Sequence, residues 1–483
     1  MKKLSIHTTS VKIVALVTVA LLMFSCEDYF DVSPKSQILT DEHFSDETGF
    51  YDQLTGVYSQ MASSALYGKE MTFGLAEVLS QNYDIDATNN YRYAAEYDYS
   101  NAGVQSRINS VWNTAYNCIA NLNIMLEYYE TVDSTTFTGN HYNLYRGEAL
   151  GLRGFLHFEM LKAFSPSPVS NGSAMAVPYV TQYAPQVTGQ KTVDETVDLV
   201  ISDLNDAVKY LSTDSLHIAE SPHLFSNSRH YFFNYYAAQY ILARAYLWKG
   251  DLTNAAKVAE EVIADIDKNS GSSPISWVHF TQVQGVPNEQ VNRLFTPELV
   301  FRLDIPGMAD LVDGYFTEEA GSNSFYLTDE SQDKIFEKST KGLGNDYRSL
   351  FGIQYDGEKQ YIWKYHQYGY YDNQMPVIRK TEIYYIAAEA QKESNPARSI
   401  ELLNEVRSNR NITEDDALPE TLTSAEIQNE IFKEYRKEYL GEGQLFFYYK
   451  RLNIPTIEGS PVAANNAVYV WPMPDNEIEF GNR

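Results

Sequence analysis

Along the stretch TVDETVDLVISDLNDAVKYL, apolar positions Val197, Val200, Ile201, Leu204, Ala207, Val208 and Leu211 recur with helical spacing and polar residues fill the gaps. Such a pattern predicts a helix with one buried face, and Thr192 with Glu195 supplies a capping box ahead of it. NAAKVAEEVIADI repeats the pattern through Ala255, Val258, Ala259, Val262, Ile263 and Ile266. Alternation of the β type is rare and local, so an all-α chain is expected.

The helices come in pairs. In QYILARAYLWKGDLTNAAKVAEEVI, Leu242, Ala243, Tyr246, Gly250 and Ala255 have tetratricopeptide spacing, with a small residue where two helices touch and a glycine ending the first. A second pair joins Ile383, Ile386, Ala387 and Ala390 to a helix carrying Leu402, Leu403 and Val406. A third joins GEALGLRGFLHFEMLKAF to the Val197 helix, and a fourth uses SVWNTAYNCIANLNIMLEYY. The expected fold is a tetratricopeptide-like scaffold of about four helix pairs, interrupted by irregular segments at 271–296 and 304–376 with minor β hairpins.

The first residues obey a different logic. Lys2, Lys3 and Lys12 precede an apolar run from Ile13 to Phe24, too short to span a bilayer, with the small Ser25 at its end. This is a secretory signal, and Leu22-Met23-Phe24-Ser25-Cys26 resembles a bacterial lipobox, in which cleavage precedes a cysteine that carries lipid. The alternative is a disulfide to Cys118, the other cysteine. The expected organisation is a removed signal over 1–25, a lipidated N-terminus with tether and first helix over 26–61, and one domain over 62–483.

Charge narrows the partners. The chain has 37 basic and 64 acidic side chains and a formal charge of -27. A surface so acidic repels nucleic acid and anionic lipid alike, leaving the lipid as the expected membrane attachment. The 38 tyrosines favour binding surfaces, because a tyrosine presents an apolar face and a hydroxyl together.

Several motifs dissolve on inspection. Asp265, Asp267 and Asn269 imitate a calcium loop, but Ser270 stands where glycine is required and Ser276 where a bidentate glutamate is required. The G-x-G triplets in GEGQLFF and GLGNDY do not sit between a strand and a helix, and no zinc-protease or serine-hydrolase signature occurs. No cofactor or metal is expected. A two-carboxylate hydrolase stays open only because carboxylates are abundant.

The order of motifs carries more. CEDYFDVSP, VWNTAYNCIANLN, EALGLRGFLHFEMLKAF, KTVDETVDLVISDLNDAVKYL, PELVFRLD, NDYR, VIRKTEIYYIAAEA, ARSIELLNEVR, EIFKEYRKEYLGEGQLFFYYKR and WPMPDNEIEFGNR follow one another as in the starch-utilization-system D family, also called SusD/RagB. The mature chain resembles that family throughout, with departures. SPSPVSNGSAMAVP replaces a Gly-Asp-x-Pro turn, and Leu445 and Tyr448 stand for the usual arginine and aspartate, which questions one internal ion pair.

The resemblance implies a non-enzymatic cell-surface lipoprotein of the outer membrane. It would capture oligosaccharide, or peptide in some members, as the lid of a TonB-dependent transporter, with Glu27 and Asp28 resembling an export signal. A helical-repeat adaptor that only holds protein partners is the alternative class. Sugar rings offer C–H faces to aromatics and hydroxyls to amides and guanidinium groups. On that ground Tyr91, Tyr93 and Trp277 are expected as stacking platforms and Asn89 and Arg92 as donors, with Tyr315 and Trp363 as further contacts.

Overall fold

The computed structural model describes residues 41–214, 226–268, 275–341, 343–367 and 369–481. Cys26 and the acids behind it, with Asn269 and Ser270, lie outside the described residues. The chain divides between Tyr51 and Asp52 into two compact units. Helix α1, Glu47–Met61, crosses that division, and the rest of the fold below belongs to the second unit, Asp52–Arg483.

The second unit is built on a stack of helices. These are α2 (Ala102–Tyr128), α3 (His141–Phe164), α4 (Val193–Leu211), α5 (Tyr235–Lys249), α6 (Leu252–Lys268), α7 (Lys380–Gln391), α8 (Pro396–Ser408) and α9 (Ser424–Glu438). Each packs on the next in the series from α2 to α9, so the expected pairs α3/α4, α5/α6 and α7/α8 are all present and α2 packs on α3. The signals that end the helices act as the sequence predicts. The Thr192 side chain accepts from the Glu195 backbone at 3.2 Å while Glu195 accepts from the Thr192 backbone at 2.9 Å. Gly250 closes α5 at φ 84°, a left-handed conformation that a Cβ would strain.

Small residues set how closely the pairs approach. A Cβ placed on Gly147 would lie 2.7 Å from Leu211 Cγ, and one on Gly151 would lie 2.4 Å from Phe233 Cε1. The backbone of α3 therefore rests directly on its neighbours, and almost its whole length is buried. Charges are buried there as well. Arg153 of α3 donates from Nε and Nη2 to the two oxygens of Asp203 on α4, each at 2.7 Å, and Tyr179 donates its hydroxyl to the same carboxylate at 2.7 Å.

The irregular segments carry the β structure, as two two-stranded sheets among the described residues. β2 (Ile353–Tyr355) and β3 (Gln360–Ile362) form the expected kind of hairpin. The other sheet is not a hairpin, because β1 (Leu299–Asp304) pairs antiparallel with the distant β4 (Gln374–Arg379), which runs straight into α7. Behind β4 lies a core of ions. Arg410, wholly buried, reaches Glu298 at 3.0 Å through Nη1 and Glu438 at 2.7 Å through Nη2, while Arg379 holds Glu442 at 2.6 Å. A buried charge is tolerable only when paired and hydrogen-bonded in this way.

Helix α10, Leu445–Arg451, contains the two departures noted in the sequence. Leu445 is buried against the core, and the Tyr448 hydroxyl accepts from Gln428 at 2.6 Å. The ion pair of this helix is instead Arg451 with Glu389, at 2.7 and 2.8 Å, the guanidinium lying over the Tyr448 ring.

Candidate functional site

Between α1 and α2 the chain runs through turns and two short helices, Leu75–Val78 and Arg92–Ala95, where it buries a carboxylate. Glu70 is 3% exposed and collects three donors, the Leu75 backbone at 3.1 Å, the Tyr91 hydroxyl at 2.9 Å and Arg107 Nη1 at 2.8 Å, and pairs with the Lys69 ammonium at 3.2 Å. Arg107 also donates to the Tyr91 hydroxyl at 2.8 Å, and its guanidinium lies 3.8 Å from the centroid of that ring. Burial, and then the charge of Glu70, push the Tyr91 hydroxyl well above its ordinary pKa, so it stays a donor.

Above this base stands a half-open rim. Tyr315 follows the helix Met308–Asp313, and its half-buried ring stacks on Phe325 at 5.2 Å and meets the edge of Tyr91 at 6.3 Å. Its hydroxyl accepts from Lys69 Nζ at 3.5 Å. Across the segment, the Arg92 guanidinium covers the Tyr93 ring at 4.3 Å and donates from Nη1 to the Ala87 carbonyl at 2.8 Å. The two segments are stitched together, since Asp84 and Tyr326 exchange backbone hydrogen bonds at 2.8 and 3.2 Å, and Asn90 donates to Asn323 at 2.8 Å.

The residues expected from the sequence therefore divide. Tyr91 and Tyr315 meet, and Lys69 and Arg107 join them, while Arg92 and Tyr93 contact each other on the turn that follows Tyr91. Two assignments need correction. Tyr91, at 1% exposure, offers no free ring face because Arg107, Tyr315 and Phe325 cover it. Asn89, at 2%, spends its amide on the Ser324 carbonyl at 3.3 Å and its side-chain oxygen on the Tyr91 backbone at 2.8 Å. Both hold the site up from behind.

Trp277 and Trp363 lie apart from this cluster, with no ring contact to Tyr91 or Tyr315. Trp277 packs half-buried on Tyr384 of α7 at 5.1 Å, with Lys380 Nζ 4.8 Å over its ring. Trp363 stacks on His366 at 3.7 Å, and its flanking Tyr361 and Tyr365 are buried. Reading the sequence missed Lys69, Glu70 and Arg107. The one available signal was an adjacent cation and anion inside the small-residue and apolar run ALYGKEMTFGLAEVL, where a solvated pair would be out of place.

A rim of half-open tyrosines and cations on a rigid, fully paired base can recognise a polar ring molecule without bond chemistry. Among the described residues no group of His, Cys, Asp or Glu is arranged to hold a metal, and no helix is long and apolar enough to cross a membrane. Cys118 is buried in α2, its thiol 3.4 Å from the Gln60 side chain and pushed up to about 12 by burial.

The helical stack with irregular insertions defines an all-α protein with minor β structure. Residues 28–247 match the SusD-like family described as starch-binding and associating with the outer membrane, and residues 356–469 match the SusD family. The chain belongs to the SusD/RagB family, whose members are associated with the outer membrane and serve glycan binding and nutrient uptake.

Solved structures agree on the fold. A SusD-like carbohydrate-binding protein from Bacteroides vulgatus is 17% identical, with 91% of this chain and 97% of that chain covered at a TM-score of 0.71. A SusD superfamily protein from Bacteroides fragilis is 18% identical over 90% and 98% of the two chains, with a TM-score of 0.69. One from Bacteroides thetaiotaomicron is 21% identical over 90% and 98%, with a TM-score of 0.65. No curated protein matches the chain.

Proposed function

We propose that this protein captures oligosaccharide at the half-open side chains of Tyr315, Lys69 and Arg107 and the neighbouring Arg92–Tyr93 pair, and delivers it to a TonB-dependent outer-membrane transporter as its lid, without catalysis. The observation that supports this reading most is the half-open Tyr315 ring, held by Phe325 and Lys69 above the buried Glu70–Tyr91–Arg107 base. A pre-positioned aromatic beside fixed cations loses little entropy on meeting a sugar face. Cys26 carries the lipid, with residues 26–61 as tether and first helix and 62–483 as the single working domain at the cell surface. Trp277 and Trp363 remain secondary contacts, each half-buried.

The reading is tested in two ways. Purification from native membranes is expected to bring a TonB-dependent barrel protein with this chain; a preparation free of any barrel would remove the transporter half of the proposal. Titration calorimetry with oligosaccharides retained by the chain is expected to show weaker binding for Tyr315→Ala and Arg92→Ala. Unchanged binding in both variants, with folding intact, would place capture elsewhere.

A further inference from the structure

A second surface has the chemistry of a sugar site and shares no residue with the Tyr315 rim. It is a groove of about 410 Å³ between α2, the segment 178–188 and the short helix Asp475–Phe480. That volume lies within the range of small-molecule sites. Its floor is apolar. Trp112 and Tyr116 pack at 4.6 Å, and Tyr116 is fixed by donating its hydroxyl to the Pro178 carbonyl at 2.9 Å. Val187 at 59% exposure and Phe480 at 70% stand as its open walls.

The polar side of the groove is made of amides. Asn113, Gln186 and Asn476 are all exposed there, and none of their side chains hydrogen-bonds to another described residue. An amide both donates and accepts, as a sugar hydroxyl does, so three unspent amides facing an aromatic floor match a ring that is apolar on its face and polar on its rim. A lipid would leave the amides unpaired, and a flat protein patch would not fill the groove. Among the described residues that line the groove, Glu477 is the only formal charge, on a chain of net charge -27. An acidic sugar would meet no compensating cation among these described residues.

We infer that this groove is a second glycan-binding site, selective for neutral saccharide, with Phe480 as the stacking platform and Asn113, Gln186 and Asn476 as the hydrogen-bonding groups. Two separated sites on one chain would hold two parts of a long polysaccharide, or two chains, and raise retention beyond either site alone.

The test is native affinity electrophoresis of the full mature chain through gels containing starch, xylan, galactomannan, arabinan, mixed-linkage β-glucan or polygalacturonate. Phe480→Ala, Asn113→Ala and Tyr315→Ala are run beside the parent, with thermal unfolding as the fold control. Phe480 is largely exposed, so its truncation leaves packing intact. The expected result is that Phe480→Ala and Asn113→Ala each weaken retention by a retarding neutral polysaccharide about threefold to tenfold, and that Phe480→Ala with Tyr315→Ala loses more than either alone. Retention that falls with Tyr315→Ala but not with Phe480→Ala or Asn113→Ala overturns the groove and leaves the rim standing. Loss with the groove variants alone supports the groove and removes the rim. Retardation by polygalacturonate only overturns the neutral assignment, and retardation by none of the six polysaccharides overturns both sites.

Discussion

The Arg107 guanidinium lies 3.8 Å from the centroid of the Tyr91 ring while its Nη1 reaches Glu70 at 2.8 Å, so one side chain both covers the ring and neutralises the buried carboxylate. Lys69 reaches the same carboxylate and the Tyr315 hydroxyl, which ties the base to the rim.

Removing Arg107 therefore acts first on stability. Arg107→Ala leaves Glu70 with two hydrogen-bond donors instead of three, beside the Lys69 ion pair, and uncovers Tyr91. The expected cost is about 1.5–3 kcal/mol, the range for losing a hydrogen bond to a charged group. Urea unfolding measures it, and a cost below about 0.5 kcal/mol would show that Lys69 and the Leu75 backbone suffice.

Tyr315→Ala acts on binding. Loss of its ring is expected to weaken a saccharide that binds the rim by about threefold to tenfold, since an aromatic contact contributes roughly 0.5–1.5 kcal/mol. Tyr315→Phe keeps the stack on Phe325 and gives up only the Lys69 bond, so it should retain most of the affinity. Equal losses in the two variants would mean that the hydroxyl, not the ring, meets the ligand.

The ion core behind β4 makes stability depend on acid. Glu438 is held down at about 2 by Arg410, Arg348 and Arg379, against the burial that would raise it. Its folded pKa lies below the unfolded value of about 4.3, so its contribution is complete above that value and drains away as pH falls toward 2. Arg410→Met should cost about 3–5 kcal/mol near neutral pH by taking the guanidinium from buried Glu298 and leaving Glu438 to Arg348 and Arg379, and should flatten the loss below pH 4. A variant as acid-sensitive as the parent would contradict this account.

His157 points the same way with the opposite charge type. Its Nδ1 donates to the Arg153 carbonyl at 2.9 Å and its Nε2 accepts from the Val180 backbone at 2.9 Å, which fixes one neutral tautomer. Burial lowers its pKa to about 3. The unfolded chain takes up this proton near pH 6.5 and the folded chain does not, so stability is lost as pH falls from 6.5 toward 3. Imidazole nuclear magnetic resonance shifts of His157 should stay constant between pH 7.5 and 4.5, and a titration midpoint inside that window would refute the lowering by burial.

At the N-terminus, Cys26→Ala should move the protein from the membrane fraction to the soluble fraction. Membrane retention equal to that of the parent would exclude lipid as the anchor.

What could be read without coordinates was whatever is local in the chain. The Val197 stripe, the Thr192–Glu195 box and Gly250 at a helix end are local patterns, and each predicted its element because helix periodicity and capping involve residues three or four apart. The pairing of α3 with the Val197 helix was legible too, although not that Phe233 would press on Gly151. The order of motifs carried the family for the same reason, since order is a property of the chain alone.

Partnership across the fold was decided elsewhere. Asp203 reads as one more polar position on an amphipathic helix until Arg153 is brought to it from another helix. Glu70, Tyr91 and Arg107 are separated by 21 and 16 positions, and nothing in their spacing says that one carboxylate would gather both of the others. Likewise Tyr91 and Tyr315 stand in similar polar, aromatic surroundings along the chain. Only the packing of 315–326 against 84–91 buried the first and left the second half open, because exposure depends on which distant segment covers a side chain, and no window of neighbouring residues contains that segment.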